Sequence, residues 1–159
     1  MRRRLAALAV ISAIGIASNA QAANNDPVGD LLTSMISGAL PGTGVFNVKA
    51  TLYHAGAKGV GALDSLGCRV VPMRTIAVDK NIIPRRTVIF IKETVGLKMP
   101  DGKPHDGYWY ASDVGGAIKG QRIDLYTGHG KASMQPMQKL NLSTLTAVKV
   151  GKFDGCPPR

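Results

Sequence analysis

Acidic residues are scarce in this chain of 159 residues: ten Asp and Glu stand against 20 Lys and Arg, and the only glutamate is Glu93. Histidine occurs three times, at His54, His105 and His129, and this spacing fits no metal-ligand pattern. No G-x-S-x-G motif is present, and the Gly-rich segment 56–61 lacks the Lys-Ser/Thr ending of a phosphate-binding loop. The sequence therefore predicts neither a metal nor another cofactor, and few carboxyl groups are left for acid–base chemistry.

Aromatic residues are also few, at 5% of the chain, and they are not interleaved with clusters of basic residues. Nucleic-acid binding is therefore supported only by the net charge of +10 and is not predicted. The uncharged apolar run at residues 5–18 is too short for a transmembrane helix. It follows three arginines at residues 2–4 and precedes Ala-Gln-Ala at residues 20–22, which is typical of a cleavable signal peptide. Residues 1–22 are thus predicted to direct export to the periplasm or the cell exterior, leaving no transmembrane segment in the mature protein.

Cleavage after Ala22 would remove three arginines and no acidic residue, so 17 basic and ten acidic residues remain and the net charge becomes +7. A basic exported protein is attracted to anionic surfaces such as wall polymers and lipid headgroups. The two cysteines, Cys68 and Cys156, are expected to form a disulfide in an oxidising compartment, with two separate buried thiols as the alternative.

Glycine and proline, at 19 and nine residues, indicate a turn-rich, mainly β chain. Residues 23–44 are predicted to form a short helix and a linker, because Asp26 suits the N-cap, Pro27 suits the first helical position and the following apolar residues share one face. Residues 45–159 are predicted to form a small closed barrel of six short strands. The strands are expected at residues 45–53, 74–79, 87–93, 108–113, 122–128 and 144–153, with the third buried on both faces.

The segment ASDVGGAIKGQRIDLYTG, residues 111–128, combines a strand that ends in Asp113, the pair Gly115 and Gly116, and a second strand that carries Asp124. The glycines are expected to allow a sharp turn and a close approach of a ligand. Two carboxyl groups in one desolvated site repel each other, so that one of them keeps its proton near neutral pH. A protonated carboxyl group is the general acid that cleavage of a glycosidic bond requires. Asp beside Gly is also ordinary turn chemistry, and that alternative stays open.

The same segment resembles the signature of the three-aspartate (3D) domain, which is also the C-terminal part of the MltA-type lytic transglycosylases. The upstream segment RTIAVDKNIIPRRTVIFI, residues 74–91, is similar to the other block of that family. The resemblance implies a six-stranded double-psi β-barrel, a wall-associated enzyme and peptidoglycan glycan strands as substrate. It implies that Asp124 protonates the oxygen between N-acetylmuramic acid and N-acetylglucosamine and then takes the proton of the 6-hydroxyl, which gives a 1,6-anhydro product.

The same resemblance implies that Asp113 supports Asp124 and that Asp79, the third acid, shapes the site or binds substrate. The predicted substrate-binding residues are Asp79, Gly115, Gly116, Lys119 and Tyr53. The sequence departs from the family pattern at Lys80, where Pro is common, and at Arg85-Arg86, which replaces Leu-Gly. No counterpart of the larger second domain of the MltA enzymes is found in these 159 residues.

Two alternatives remain open from the sequence. One is a non-catalytic peptidoglycan-binding module like those of expansin-like proteins, and another is an accessory protein whose helix at residues 24–40 binds a partner protein. The place of three aromatic side chains is also open. The rings of Tyr108, Trp109 and Tyr110 suit either stacking on sugars or packing in the core. Because Trp109 points to the opposite side from both tyrosines, at least one of these two sets is expected in the core.

Overall fold

The computed structural model describes residues 44–158, so the predicted signal peptide and all but the last residue of the predicted appendage lie outside the described residues. The six strands are β1 (Val45–Ala55), β2 (Thr75–Val78), β3 (Thr87–Ile91), β4 (Tyr108–Asp113), β5 (Arg122–His129) and β6 (Thr144–Lys152). All six coincide with predicted strands, and the mainly β class is confirmed. A short 3₁₀ turn at Lys92–Thr94 ends β3 early, and a 3₁₀ helix at Lys131–Leu140 was not predicted.

The six strands form one mixed sheet that closes into a ring in the order β1-β5-β2-β4-β3-β6. β1 runs parallel to β5 and β2 runs parallel to β4, whereas the other four neighbouring pairs are antiparallel. Each strand has two hydrogen-bonded neighbours, so none of the six is left as an exposed edge.

The core fills the inside of the ring, because alternate residues of each strand point inward. Trp109 is fully buried there, and its indole N–H donates a hydrogen bond to the Thr94 hydroxyl at 3.0 Å. It is therefore a core residue and not a sugar-stacking one. Met137 and Leu140 of the 3₁₀ helix join the same core. The strand residues of the core are Val48, Ala50, Ile76, Val78, Ile89, Ile91, Trp109, Ala111, Ile123, Leu125, Leu145 and Ala147.

The expectation that the third strand is buried on both faces is wrong. In β3 the buried residues alternate with Val88 and Phe90, which are partly exposed. Phe90 lies on the outer face of the ring, where its ring centroid is 5.5 Å from that of Tyr108 and its edge lies against Gly107. The strand buried along its whole length is β2 instead.

Cys68 and Cys156 form a disulfide with their Cα atoms 5.5 Å apart, which confirms the predicted pairing. The bond joins the loop after β1 to the segment after β6 across 88 positions of the sequence. Within residues 44–158, no helix has the length and apolar character needed to cross a bilayer.

Candidate active site

Asp113 and Asp124 lie on either side of Ala77 in the sheet. Ala77 of β2 pairs with Asp113 of β4 in one direction and with Asp124 of β5 in the other. Because neighbouring strands are about 4.8 Å apart, the two Cα atoms are separated by about 10 Å. The small side chain of Ala77 leaves space between the two carboxyl groups, and both line one cavity of about 210 Å³. Two acids eleven positions apart in the sequence therefore share one site.

A β-bulge at Ser112 places Asp113 in this cavity. Ile76 pairs with Ala111, but the next residue, Ala77, pairs with Asp113, so that Ser112 is the extra residue of β4. In a regular strand, Asp113 would point to the same side as Trp109 and Ala111, which lie in the core. The inserted residue reverses this alternation and turns the carboxyl group to the outer face.

The Asp113 carboxyl group accepts three hydrogen bonds. The backbone N–H groups of Ser65 and Val114 donate to Oδ1 at 3.0 and 2.9 Å, and the Tyr53 hydroxyl donates to Oδ2 at 3.2 Å. Burial raises the pKa of Asp113 above its usual value, these three donors oppose the rise, and the charge of Asp64 adds to it. The three donors favour the ionised form of Asp113 within a site that otherwise disfavours charge.

Asp124 is half-buried in the middle of β5, and its Oδ1 atom is buried without a hydrogen-bond partner among the described residues. Burial raises the pKa of Asp124, Thr51 and Arg122 act in the opposite direction, and the charge of Asp113 adds to the rise. Burial is thus the main cause, and the repulsion between the two carboxylates, which is the cause expected from the sequence, contributes less. Asp113 has three hydrogen-bond donors that stabilise its negative charge, whereas Oδ1 of Asp124 has none among the described residues.

Asp79 does not share this cavity. It lies directly after β2, where its Oδ1 accepts a hydrogen bond from the backbone N–H of Asn81 at 3.0 Å and its Oδ2 accepts one from Gly120 at 2.9 Å. These two bonds hold the pKa of Asp79 below its usual value. Asp79 therefore ties the β4–β5 loop to the turn after β2. Asp79 and Lys119 lie close together and line a groove next to the cavity, called the groove below.

Gly115 and Gly116 differ in their surroundings. A Cβ atom at Gly115 would lie 2.6 Å from Cγ1 of Ile118, whereas one at Gly116 would meet nothing within 4 Å. Neither glycine has a positive φ, and the position in this loop that needs one is Gly120, with φ 63°. The turn expected at the glycine pair is present, because the Ile118 N–H donates a hydrogen bond to the Gly115 carbonyl at 3.0 Å, and Gly120 adds a second bend. Gly115 provides space for Ile118, which is buried between the cavity and the groove.

We expect Gly115→Ala and Gly116→Ala to separate these two roles. Gly115→Ala forces Ile118 to move and should lower the free energy of unfolding by about 1–3 kcal/mol. Gly116→Ala should change it by less than about 0.5 kcal/mol, because the added methyl group points into open space. Urea unfolding of both variants beside the wild type measures the difference. Equal losses of stability in the two variants would contradict the assignment.

Two residues near the site were not predicted. Asp64 is 7% exposed, and its Oδ1 accepts hydrogen bonds from the backbone N–H groups of Leu66 and Cys68 at 3.0 and 2.9 Å. Ser65 donates its N–H to Asp113 and its hydroxyl to the Ser112 carbonyl at 2.9 Å. One feature of the sequence could have indicated these two residues. They lie just before Cys68, and the predicted disulfide holds that part of the loop in a fixed position. Among the described residues, no group of three or more His, Cys, Asp or Glu side chains is placed to hold a metal ion.

The fold and the cavity define a small, mainly β protein with a pair of half-buried carboxyl groups on the outside of a closed ring of strands. The family model of the 3D domain matches residues 74–138, which confirms the resemblance inferred from the sequence. No curated protein matches the sequence.

Several solved structures of lytic transglycosylases are similar to the chain. The Escherichia coli MltA structure with bound chitohexaose has 23% sequence identity and a TM-score of 0.44, covering 60% of this chain and 29% of MltA. The lytic transglycosylase LtgG of Burkholderia pseudomallei has 29% identity and a TM-score of 0.39, covering 58% of this chain and 26% of LtgG. The membrane-bound lytic murein transglycosylase of Agrobacterium tumefaciens has 26% identity and a TM-score of 0.39, covering 55% and 25%. The chain thus spans less than a third of the length of each of these proteins.

Proposed function

We propose that the chain is an exported, lytic transglycosylase-like enzyme that cleaves the bond between N-acetylmuramic acid and N-acetylglucosamine in peptidoglycan. The observation that carries this proposal is the placement of Asp113 and Asp124 on either side of Ala77, in one cavity of a 3D domain. Burial raises the pKa of both carboxyl groups, as a proton donor that works near neutral pH requires. The signal peptide at residues 1–22 and the wall association belong to this proposal.

Asp124 is assigned the role of the acid and base. It holds its proton because burial opposes the charge and because its Oδ1 has no donor among the described residues. It gives that proton to the glycosidic oxygen and then, as a carboxylate, takes the proton of the 6-hydroxyl group. The oxygen of that hydroxyl bonds to the anomeric carbon, so the 1,6-anhydro ring forms without water. One acid therefore serves both steps.

Asp113 is assigned the supporting role. Its three hydrogen-bond donors favour the anion, and an anion beside the sugar stabilises the positive charge that develops at the anomeric carbon in the transition state. Tyr53 orients Asp113 through its hydroxyl group. Asp79, Gly115, Gly116 and Lys119 are retained as substrate-contacting residues, since all four line the groove next to the cavity.

The double-psi topology is also part of the proposal. The ring contains two parallel strand pairs, β1 with β5 and β2 with β4, and each pair is connected through other strands of the same ring. This arrangement supports a double-psi barrel for the domain at residues 45–159, and the helical appendage at residues 23–44 stays a prediction from the sequence.

The test is digestion of purified sacculi by the wild-type protein, followed by mass spectrometry of the soluble fraction. We expect muropeptides that are lighter by the mass of one water molecule than the corresponding hydrolysis products. The Asp154→Asn variant is the matched control, because Asp154 is exposed near the C-terminus and should leave the yield unchanged. Soluble products with ordinary reducing ends, or no soluble products from an intact protein, would contradict the proposal.

A non-catalytic glycan-binding module is the second candidate. The observation that favours it is the small size of the cavity, about 210 Å³. A binding module would sediment with insoluble peptidoglycan, would do so equally well as Asp124→Asn, and would release no product. The sedimentation assay and the digestion together decide between the two candidates.

A further inference from the structure

A second concave site lies beside the carboxyl cavity. It is a groove of about 240 Å³, and three exposed basic side chains line it: Lys80, Arg85 and Lys119. Ile118 and Gly115 line both the groove and the cavity, so the two sites share a wall. A ligand with one group at the acids and a substituent that reaches over this wall would occupy both.

The groove keeps an excess of positive charge. Its acidic lining residue is Asp79, and both oxygens of that carboxyl group already accept backbone hydrogen bonds from Asn81 and Gly120. One negative charge therefore stands against three positive ones. Asp79 can neutralise one of the three positive charges, so a net charge of +2 remains. The groove therefore attracts an anionic group.

The three cations are presented in different ways. The Arg85 guanidinium donates one hydrogen bond through Nη1 to the Ser65 carbonyl at 3.0 Å, which holds the side chain in place and leaves its other N–H groups for a ligand. Lys80 and Lys119 stand on the two segments that Asp79 joins.

We propose that this groove is a subsite for a carboxylate-bearing substituent of the glycan, such as the peptide carried by the muramic acid next to the scissile bond. This inference rests on the proposed function for its choice of ligand. Arg85 binds the carboxylate with its remaining donors, and Lys80 and Lys119 add charge from the two sides. The substituent is thereby held while the sugar ring to which it belongs reaches Asp124.

The test is a binding measurement on purified protein in the Asp124→Asn background, in which the ligand is not consumed. Three probes are compared by calorimetry: a disaccharide-peptide with free carboxylates, the same compound with its carboxylates amidated, and a chitooligosaccharide. Lys80→Gln should weaken binding of the free acid about threefold and leave the other two unchanged, because a solvent-exposed charge pair is a small contribution. Lys139→Gln removes an exposed charge outside the groove and is the control.

Two substitutions of Arg85 are required, because its side chain also donates a hydrogen bond to the Ser65 carbonyl, and a loss of binding could come from the loss of that bond. Arg85→Lys keeps the charge and should retain most of the preference for the free acid, whereas Arg85→Gln should abolish that preference. Equal affinity for the free and amidated probes would overturn the inference, and so would a failure of all three probes to bind at millimolar concentration. A preserved preference in a protein that yields no anhydro product from sacculi would support the subsite and contradict the enzyme, so the two failures are distinguishable.

Discussion

Asp124→Asn is expected to lower the rate at which soluble muropeptides are released from sacculi by about 10²–10⁴-fold, which is the contribution of a positioned general acid–base group. The asparagine amide has the size of the carboxyl group but has no proton to give to the leaving oxygen. It also cannot accept the proton of the 6-hydroxyl group in the second step. Initial rates from quantified soluble products, with Asp154→Asn as the matched Asp-to-Asn control, measure the effect.

The pH dependence of the wild-type rate gives an independent check. Asp124 acts as an acid only while it is protonated, and burial raises its pKa above its usual value. The rate should therefore fall as the pH rises through this elevated pKa, and Arg122→Gln should move the fall to higher pH, because Arg122 opposes the rise. An Asp124→Asn variant that keeps more than about a tenth of the wild-type rate would be incompatible with a general acid at this position.

The same substitution should make the protein more stable at neutral pH, which separates lost catalysis from lost folding. The pKa of Asp124 is higher in the folded chain than its value of 3.8 without the fold, so the folded state binds the proton more tightly. The resulting stabilisation is complete below that value and is lost as the pH rises through the folded pKa. At pH 7 the buried acid costs stability, either as a charge or as a proton taken up on folding, and asparagine avoids this cost, so we expect Tm to rise by about 2–4 °C. The gain should shrink as the pH falls through the folded pKa of Asp124 and should disappear below about pH 4.

The strands could be predicted from local sequence because alternation and turn residues act over a few positions. In β1 and β5 the apolar residues alternate with polar ones, and the structure has strands at these places. The continuous apolar run of β3 was misread, because its pattern does not reveal whether a second layer covers the outer face. The 3₁₀ helix at Lys131–Leu140 contains Pro136, which hides a helical pattern, and only its contact with the core fixes it.

The site could be predicted only in part, because it depends on pairings between distant strands. The two acids were singled out from one segment, but their common neighbour, Ala77, lies on β2 and becomes visible only in the register. The bulge at Ser112 leaves no mark in the sequence that distinguishes it from a regular strand. Asp79 was expected to shape the site or bind substrate, and its hydrogen bonds to the backbone of Asn81 and Gly120, which the sequence does not reveal, place it in the neighbouring loops.

Loss of the disulfide is the second change with a large expected effect. Replacing both Cys68 and Cys156 by Ser should lower the free energy of unfolding by about 4–5 kcal/mol, because the cross-link closes a long loop and restricts the unfolded chain. Urea unfolding of the double variant and of the wild type, each with and without a reductant, measures this. The reductant should destabilise the wild type and leave the double variant unchanged. A loss below about 1 kcal/mol would show that the cross-link contributes little to the fold.

The disulfide should also affect the site, because the loop that it anchors supplies a donor to Asp113. Cys68 lies three residues after Ser65, whose backbone N–H donates to Asp113 at 3.0 Å and whose carbonyl accepts from Arg85. Once the loop loosens, Asp113 loses a bond that stabilises its anion, and its pKa should rise further. We expect the double variant, assayed at a temperature at which it stays folded, to release muropeptides more slowly than the wild type. Because the supporting anion would form only at higher pH, the rate of the double variant relative to the wild type at the same pH should recover in part as the pH rises. A uniform loss at every pH would instead indicate that the loop acts on the fold alone.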